Sequence, residues 1–194
     1  MKKIIIALEG LPNSGKTSCM KYLSTKYKDI LYIPEIYLEQ EHNNHKAMRE
    51  KYALAELIKY KQYYKYKDKI LICDRSFIST LAFSYTRYKT YKDKSDYNYN
   101  IKFLSENKNK ILFPSHVIIF NIKAKESVLR NKKKNNTDYL EDWNNINFLN
   151  NFNDYYNSIS FKKLTNKSKV YRINTKNKEK TRIIVEKIIN DIIK

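Results

Sequence analysis

The stretch EGLPNSGKTS, residues 9–18, holds both glycines of a 194-residue chain, Gly10 and Gly15. Before it, the apolar run at residues 3–8 predicts a buried strand, and after it a helical pattern begins at Lys16. Glycine adopts backbone conformations that a β-carbon obstructs. Because glycine is absent elsewhere, we infer that the loop between this strand and this helix requires such conformations at both positions.

The spacing Gly10-x-x-x-x-Gly15-Lys16-Thr17, between a strand and a helix, is the P-loop pattern. In this pattern backbone N–H groups converge on phosphate oxygens at a helix N-terminus, Lys16 neutralises the β- and γ-phosphates, and the Thr17 hydroxyl ligates Mg²⁺. We therefore expect ATP and Mg²⁺ as cofactors. The nucleotide-binding residues predicted in this loop are Gly10, Asn13, Ser14, Gly15, Lys16, Thr17 and Ser18.

The rest of the chain alternates apolar, β-branched runs with longer helical patterns. Strands are predicted at residues 3–8, 30–33, 69–73, 117–122 and 169–173. Helices are predicted at residues 16–27, 44–66, 76–91, 99–107, 124–133, 137–160 and 178–193. Strands joined by helices long enough to cross over predict an α/β fold, with a five-stranded parallel sheet flanked by helices on both faces. The length favours a single domain over residues 1–194.

Composition restricts the partners that we expect. The formal net charge is +19, but the lysine excess accompanies an excess of Asn, Ile and Tyr, as in AT-rich coding sequences. We therefore interpret most of the charge as solvated surface and expect no nucleic-acid partner. No run reaches the roughly 18–20 apolar residues of a membrane span, so we expect no membrane association.

The two cysteines, Cys19 and Cys73, have no disulfide-framework spacing. We expect both to be reduced and the protein to be cytoplasmic. The sequence is compatible with a homodimer.

The stretch ILICDRSFISTLAF, residues 70–83, is the second informative segment. Its predicted strand ends at Asp74, which puts a carboxylate at the carboxyl edge of the sheet, where it could organise Mg²⁺. Arg75 could bind a phosphate or hydroxyl of the acceptor, and Ser79 would face the same cleft. The alternative is that Asp74 caps the following helix and Arg75 forms a surface ion pair.

These residues resemble the thymidylate kinase and deoxynucleoside kinase group of P-loop phosphotransferases. The segment DRSFISTLAF is similar to the thymidylate kinase signature D-R-Y-x-x-S-x-x-A-Y at Asp74, Arg75, Ser79 and Ala82. It also resembles the E-R-S-x-x-S of deoxynucleoside kinases through Arg75, Ser76 and Ser79. The resemblance implies a P-loop kinase fold, with Lys16, Asp74 and Arg75 as catalytic residues.

A second resemblance begins at Arg130, where RNKKKNNTDYLE is similar to the thymidylate kinase lid pattern R-x-x-x-R-G-x-x-D-R-x-E. Arg130, Asp138 and Glu141 match this pattern, and Lys134 stands at the second arginine. The resemblance implies a lid near residues 124–142, with Arg130 and Lys134 as catalytic cations. Closing such a lid excludes water and favours transfer to the acceptor over hydrolysis.

Two further segments bear on the nucleotides. At the last strand, YRINT resembles the I-D-A turn of thymidylate kinases, whose backbone lies near the adenine. The resemblance implies a nucleotide contact at Asn174 and Thr175. Glu35 ends the second strand and is the one residue kept from the R-E-P-G-G-T segment of thymidylate kinases. In deoxynucleoside kinases a glutamate at this point takes the proton of the 5′-hydroxyl. The resemblance therefore implies an acceptor site with Glu35, Arg75 and Ser79.

The phosphate loop also departs from thymidylate kinases. They usually carry an acidic residue where this chain has Pro12, and some carry an arginine where it has Asn13. The main interpretation is an ATP-dependent phosphotransferase that uses a nucleoside monophosphate, with dTMP as the first expectation. The alternative is a deoxynucleoside kinase, and a further alternative is a nucleic-acid-binding P-loop ATPase. Identifying the phosphorylated product distinguishes the two kinases, and stimulation of ATP hydrolysis by nucleic acid would identify the ATPase.

Overall fold

A computed structural model describes residues 4–36, 45–66, 69–133 and 141–194. Its strands form one five-stranded sheet in the order β2-β3-β1-β4-β5, and every pairing is parallel. The strands are β1 Ile5–Glu9, β2 Leu31–Ile33, β3 Leu71–Asp74, β4 His116–Asn121 and β5 Lys169–Asn174. The predicted parallel sheet is confirmed, with boundaries that differ by only a residue or two.

Helices connect the strands, as predicted. The helices of the described residues are α1 Lys16–Lys26, α2 His45–Tyr63, α3 Phe77–Tyr91, α4 Ser95–Asn107, α5 Ala124–Lys132, α6 Ile146–Tyr155, α7 Ile159–Leu164 and α8 Lys178–Ile193. Short 3₁₀ turns cover Tyr64–Tyr66, Lys108–Lys110 and Glu141–Asn144. No helix in these ranges is both long and apolar enough to span a bilayer.

The prediction of one helix over residues 137–160 is wrong. Residues 137–140 lie outside the described part, and the remainder forms a 3₁₀ turn followed by α6 and α7. Each helix has its own N-cap: the side chain of Asn145 accepts from the Phe148 N–H at 3.1 Å, and that of Ser158 accepts from the Phe161 N–H at 3.1 Å. These caps start new helices where periodicity alone predicts a continuous one.

Helices pack on both faces of the sheet, as predicted. On one face Leu8 of β1 packs with Leu23 of α1 and Val185 of α8. On the other face Val117 and Ile119 of β4 pack in a large cluster with α3, α5, α6 and α7. Both cysteines are buried, and neither forms a disulfide.

The sheet brings the two informative segments together. β1 lies between β3 and β4, and Leu8 pairs with Asp74 across the β1–β3 ladder. The phosphate loop leaves β1 at the same carboxyl edge at which β3 ends. In parallel sheets the ends of adjacent strands meet there, and this is where ligands bind.

The two glycines meet different constraints. Gly10 has φ +126°, and a β-carbon on it would lie 2.6 Å from the carbonyl oxygen of Phe120 in β4. Gly15 has φ +99° but would place a β-carbon in open space. Backbone conformation thus requires glycine at both positions, and contact with β4 adds a second requirement at Gly10.

We expect Gly10→Ala to lower the free energy of unfolding more than Gly15→Ala. Forcing alanine to a positive φ costs about 1–2 kcal/mol at either site, and displacing the β4 backbone adds about 1–3 kcal/mol at Gly10. Urea unfolding of both variants measures the difference. Equal losses would contradict the role assigned to the β4 contact.

Candidate active site

Lys16 is buried against its own loop. It is 5% exposed, and its ammonium donates to the carbonyl oxygens of Gly10 at 3.1 Å and Leu11 at 2.8 Å and to the hydroxyl of Ser14 at 3.3 Å. Burial, together with the positive charge of Arg75, lowers the pKa of Lys16 to about 7. An anion placed beside this ammonium would favour its charged form, and phosphate is such an anion.

Thr17 and Asp74 are joined across the edge of the sheet. The Thr17 hydroxyl donates to Oδ2 of Asp74 at 2.5 Å. The other carboxylate oxygen, Oδ1, is buried and has no hydrogen-bond partner among the described residues. Asp74 does not cap α3, because Ser76 does: its hydroxyl accepts from the Ile78 N–H at 3.2 Å.

The unpartnered oxygen fits a magnesium ion. Carboxylate and hydroxyl oxygens are ligands that Mg²⁺ prefers, and in nucleotide sites the ion takes its other ligands from phosphates and water. The described residues contain no group of three His, Cys, Asp or Glu side chains able to hold a metal. Thr17 and Asp74, with the unpartnered Oδ1, are side chains that could hold Mg²⁺ together with a bound nucleotide.

Arg75 connects the phosphate loop to the predicted acceptor residues. Its Nε lies 3.0 Å from the Glu35 carboxylate, and its Nη1 donates to the Gly10 carbonyl and to the Ser79 hydroxyl, both at 3.2 Å. The Arg75 backbone is left-handed, with φ 65°, which is uncommon outside glycine. The structure thus brings Arg75, Glu35 and Ser79 together beside the loop, and Arg75 forms no mere surface ion pair.

Sequence reasoning missed Glu9, the last residue of β1. Its carboxylate is fully buried and accepts hydrogen bonds from the Ser76 N–H at 2.9 Å, the Ser76 hydroxyl at 2.7 Å and the Ser79 hydroxyl. Burial raises its pKa, although these hydrogen bonds act in the opposite direction. Through Ser79, Glu9 helps to hold Arg75. The only signal in the sequence was an acidic residue closing an apolar run.

Side chains of α5 also hydrogen-bond to the phosphate loop. The Ser127 hydroxyl donates to the Pro12 carbonyl at 2.7 Å. Arg130 donates to the Asn13 carbonyl at 3.3 Å and to the Thr175 carbonyl at 2.9 Å, and pairs with Glu126 at 2.9 Å. Arg130 therefore bridges the phosphate loop and the turn after β5.

The turn after β5 positions the other two predicted nucleotide residues. The Asn174 side chain accepts from the Lys176 N–H at 3.1 Å, and the Thr175 hydroxyl donates to the Asn121 carbonyl at 3.0 Å. Their side chains thus shape the turn, while the Thr175 carbonyl reaches Arg130. Ser18 is exposed in the first turn of α1. Lys134 and Asp138 of the predicted lid lie outside the described residues.

A small cavity lies between α2, α3 and α4. Its volume is about 10 Å³, room for about one water molecule, and Thr80, which follows Ser79, lines it. Asn100 is 2% exposed, and its Oδ1 is unpartnered, as is Nε of Arg49. The full lining is Arg49, Tyr52, Thr80, Phe83, Ser84, Arg87, Asp96 and Asn100. One water molecule in the cavity would be the simplest partner for this buried donor and acceptor.

The sheet order, the phosphate loop and the carboxylate at the end of β3 define a P-loop kinase fold. No family model and no curated protein matches the sequence. Among solved structures, deoxyadenosine kinase from M. mycoides with dCMP and dCDP is similar, with 20% identity, a TM-score of 0.73, and coverage of 98% of this chain and 100% of that one.

Two other structures share the fold. The same enzyme with bound dATP has 22% identity and a TM-score of 0.71, over 98% of this chain and 100% of that one. Thymidylate kinase from Candida albicans has 14% identity and a TM-score of 0.65, over 98% of this chain and 92% of that one. The predicted P-loop kinase fold is therefore confirmed over nearly the whole chain.

We predict that ATP binding takes up a proton at Lys16. With a pKa of about 7, about a tenth of the side chain is charged at pH 8, and a bound polyphosphate returns the pKa towards its ordinary value of about 10.4. Uptake should be about 0.9 proton at pH 8 and about 0.1 at pH 6. Calorimetry in buffers of different ionisation enthalpy measures this, and no uptake at pH 8 would contradict it.

Proposed function

We propose that the protein is an ATP-dependent phosphotransferase whose acceptor is a nucleoside or a nucleoside monophosphate. One observation carries the proposal: the Arg75 guanidinium contacts both the phosphate loop, at Gly10, and the Glu35 carboxylate, at 3.2 Å and 3.0 Å. A donor site and an acceptor site so joined suit in-line transfer, in which catalysis is mostly positioning and charge stabilisation.

The donor side is formed by the loop, Lys16, Thr17 and Asp74. Loop N–H groups and Lys16 would bind the phosphates, and Thr17 and Asp74 would hold Mg²⁺. Bound Mg²⁺ would offset the charge that develops on the transferred group. Arg130 and Lys134 stay predictions as further cations. Two buried cysteines that form no disulfide support a reducing cytoplasmic setting.

Glu35 favours a hydroxyl acceptor. A deoxynucleoside 5′-hydroxyl must lose its proton as it attacks, and a carboxylate at the end of β2 is suited to accept it. Arg75, paired with Glu35 at 3.0 Å, would orient that carboxylate and contact the transferred group. The fold shared with a deoxyadenosine kinase is consistent with this acceptor.

A nucleoside monophosphate is the second candidate, with dTMP the first to test. It is favoured by the match of Asp74, Arg75 and Ser79 to the thymidylate kinase signature, and a guanidinium can bind a phosphate with two parallel hydrogen bonds. Such an acceptor is already an anion and needs little help from a base. No observation favours the nucleic-acid ATPase.

Product identification tests the proposal. Purified protein is incubated with labelled ATP and a panel of deoxynucleosides and their monophosphates, and the products are separated. We expect a labelled mono- or diphosphate for at least one acceptor. ADP release that only DNA or RNA stimulates, with a steep salt dependence, would overturn the proposal.

Glu35→Gln separates the two acceptors. With a nucleoside, loss of the base should lower kcat by about 10²-fold or more, whereas with a monophosphate the change should be several-fold at most. The exposed Glu106→Gln on α4 is the matched control and should leave kcat unchanged. Wild-type turnover of Glu35→Gln on a nucleoside would reject Glu35 as the base.

A further inference from the structure

Glu56 and Lys59 form a buried ion pair on α2. They are 4% and 3% exposed, and Nζ of Lys59 lies 2.9 Å from Oε1 of Glu56. Such a pair is costly, because two charges lose their hydration. Replacing a buried pair by apolar residues is often neutral or stabilising, so stability alone does not account for it.

The pair belongs to the candidate active site. Five charged side chains are buried in the part of the chain that the structure describes. Two are Glu56 and Lys59, and the other three, Glu9, Lys16 and Asp74, all lie in the candidate active site. Lys59 also reaches the site directly, because its ammonium donates to the backbone carbonyl of Arg75 at 3.3 Å.

Arg75 needs such support. A left-handed residue other than glycine costs about 1–3 kcal/mol and persists only where its surroundings enforce it. Three hydrogen bonds hold the backbone at Arg75. The Arg75 N–H donates to the Leu8 carbonyl at 3.1 Å, and the Ser76 N–H donates to Glu9 at 2.9 Å. The Lys59 ammonium donates to the Arg75 carbonyl, which lies between these two N–H groups. The Lys59 contact is the one made by a side-chain cation.

We propose that Lys59, held by Glu56, is a positioning residue for phosphoryl transfer: it fixes the Arg75 carbonyl and so keeps the Arg75 guanidinium between Gly10 and Glu35. The ammonium remains charged in this place, because burial lowers the pKa of Lys59 but Glu56 more than offsets this effect. Without it, Arg75 can relax to negative φ, and rotation of its backbone carries the guanidinium away from Glu35.

The test replaces both members of the pair. Glu56→Leu with Lys59→Met leaves no unpaired buried charge, so we expect an unchanged or higher melting temperature. We expect kcat to fall at least about 10-fold, with KM for ATP within about twofold of wild type. The exposed Lys61→Met on the same helix is the matched control. Wild-type kcat in the folded double variant would overturn the proposal.

A cycle with Arg75→Ala distinguishes positioning from a general structural role. If the pair acts through Arg75, its removal in that background should lower kcat by less than about twofold further. An equal loss in both backgrounds would overturn the proposal. If the variant Glu56→Leu with Lys59→Met does not fold, the variant Glu56→Gln with Lys59→Gln replaces it. Its kcat should fall at least threefold, and unchanged turnover would overturn the proposal.

The kinetic test rests on the proposed function, but a crystal structure of the double variant does not. We expect a negative φ at Arg75 and loss of the Arg75–Glu35 contact, whereas retention of both the left-handed backbone and that contact would overturn the proposal. If the wild type phosphorylates no acceptor, the proposed function fails, and the conformation of Arg75 still decides the role of Lys59.

Discussion

The site depends on mutual neutralisation of charges that are held away from water. Glu9 is fully buried, and Lys16, Asp74, Glu56 and Lys59 are nearly so. A lone charge in such a place is expensive, so each requires partners in a defined position. The hydrogen bonds of Glu9 to Ser76 and Ser79 tie β1 to the start of α3, and Arg75 completes the arrangement through Ser79 and Glu35.

The same requirement explains why the edges of β1, β2 and β3 act as one unit. Glu35 follows β2, Glu9 ends β1, Asp74 ends β3, and the Arg75 guanidinium lies among their segments. Removal of Glu9, for example, would leave the buried hydroxyl groups of Ser76 and Ser79 without their acceptor. The carboxyl edge of the sheet therefore holds these side chains in a fixed arrangement.

Sequence patterns predicted the sheet well because its central strands are buried on both faces and appear as apolar runs. They failed at residues 137–160, where the capping side chains of Asn145 and Ser158 lie inside a helical pattern, and an Asn cap is hard to recognise in a chain rich in Asn. In the candidate site, the phosphate loop and the Asp74–Arg75 pair could be found from the sequence, because each lies in a short motif of consecutive residues.

Glu9 and the Glu56–Lys59 pair have no such pattern. An i, i+3 pair of opposite charges on a helix ordinarily lies on the surface, and only the fold shows that this one faces Arg75.

Lys16 shows how far the loop is organised by its own atoms. Its ammonium is already held by two loop carbonyls and the Ser14 hydroxyl. A loop held in this way loses little conformational freedom when a nucleotide arrives, so less binding energy is spent on ordering it. The cation that we propose to bind the phosphates thus also holds the loop together, and nucleotide affinity would then depend on hydrogen bonds within the protein.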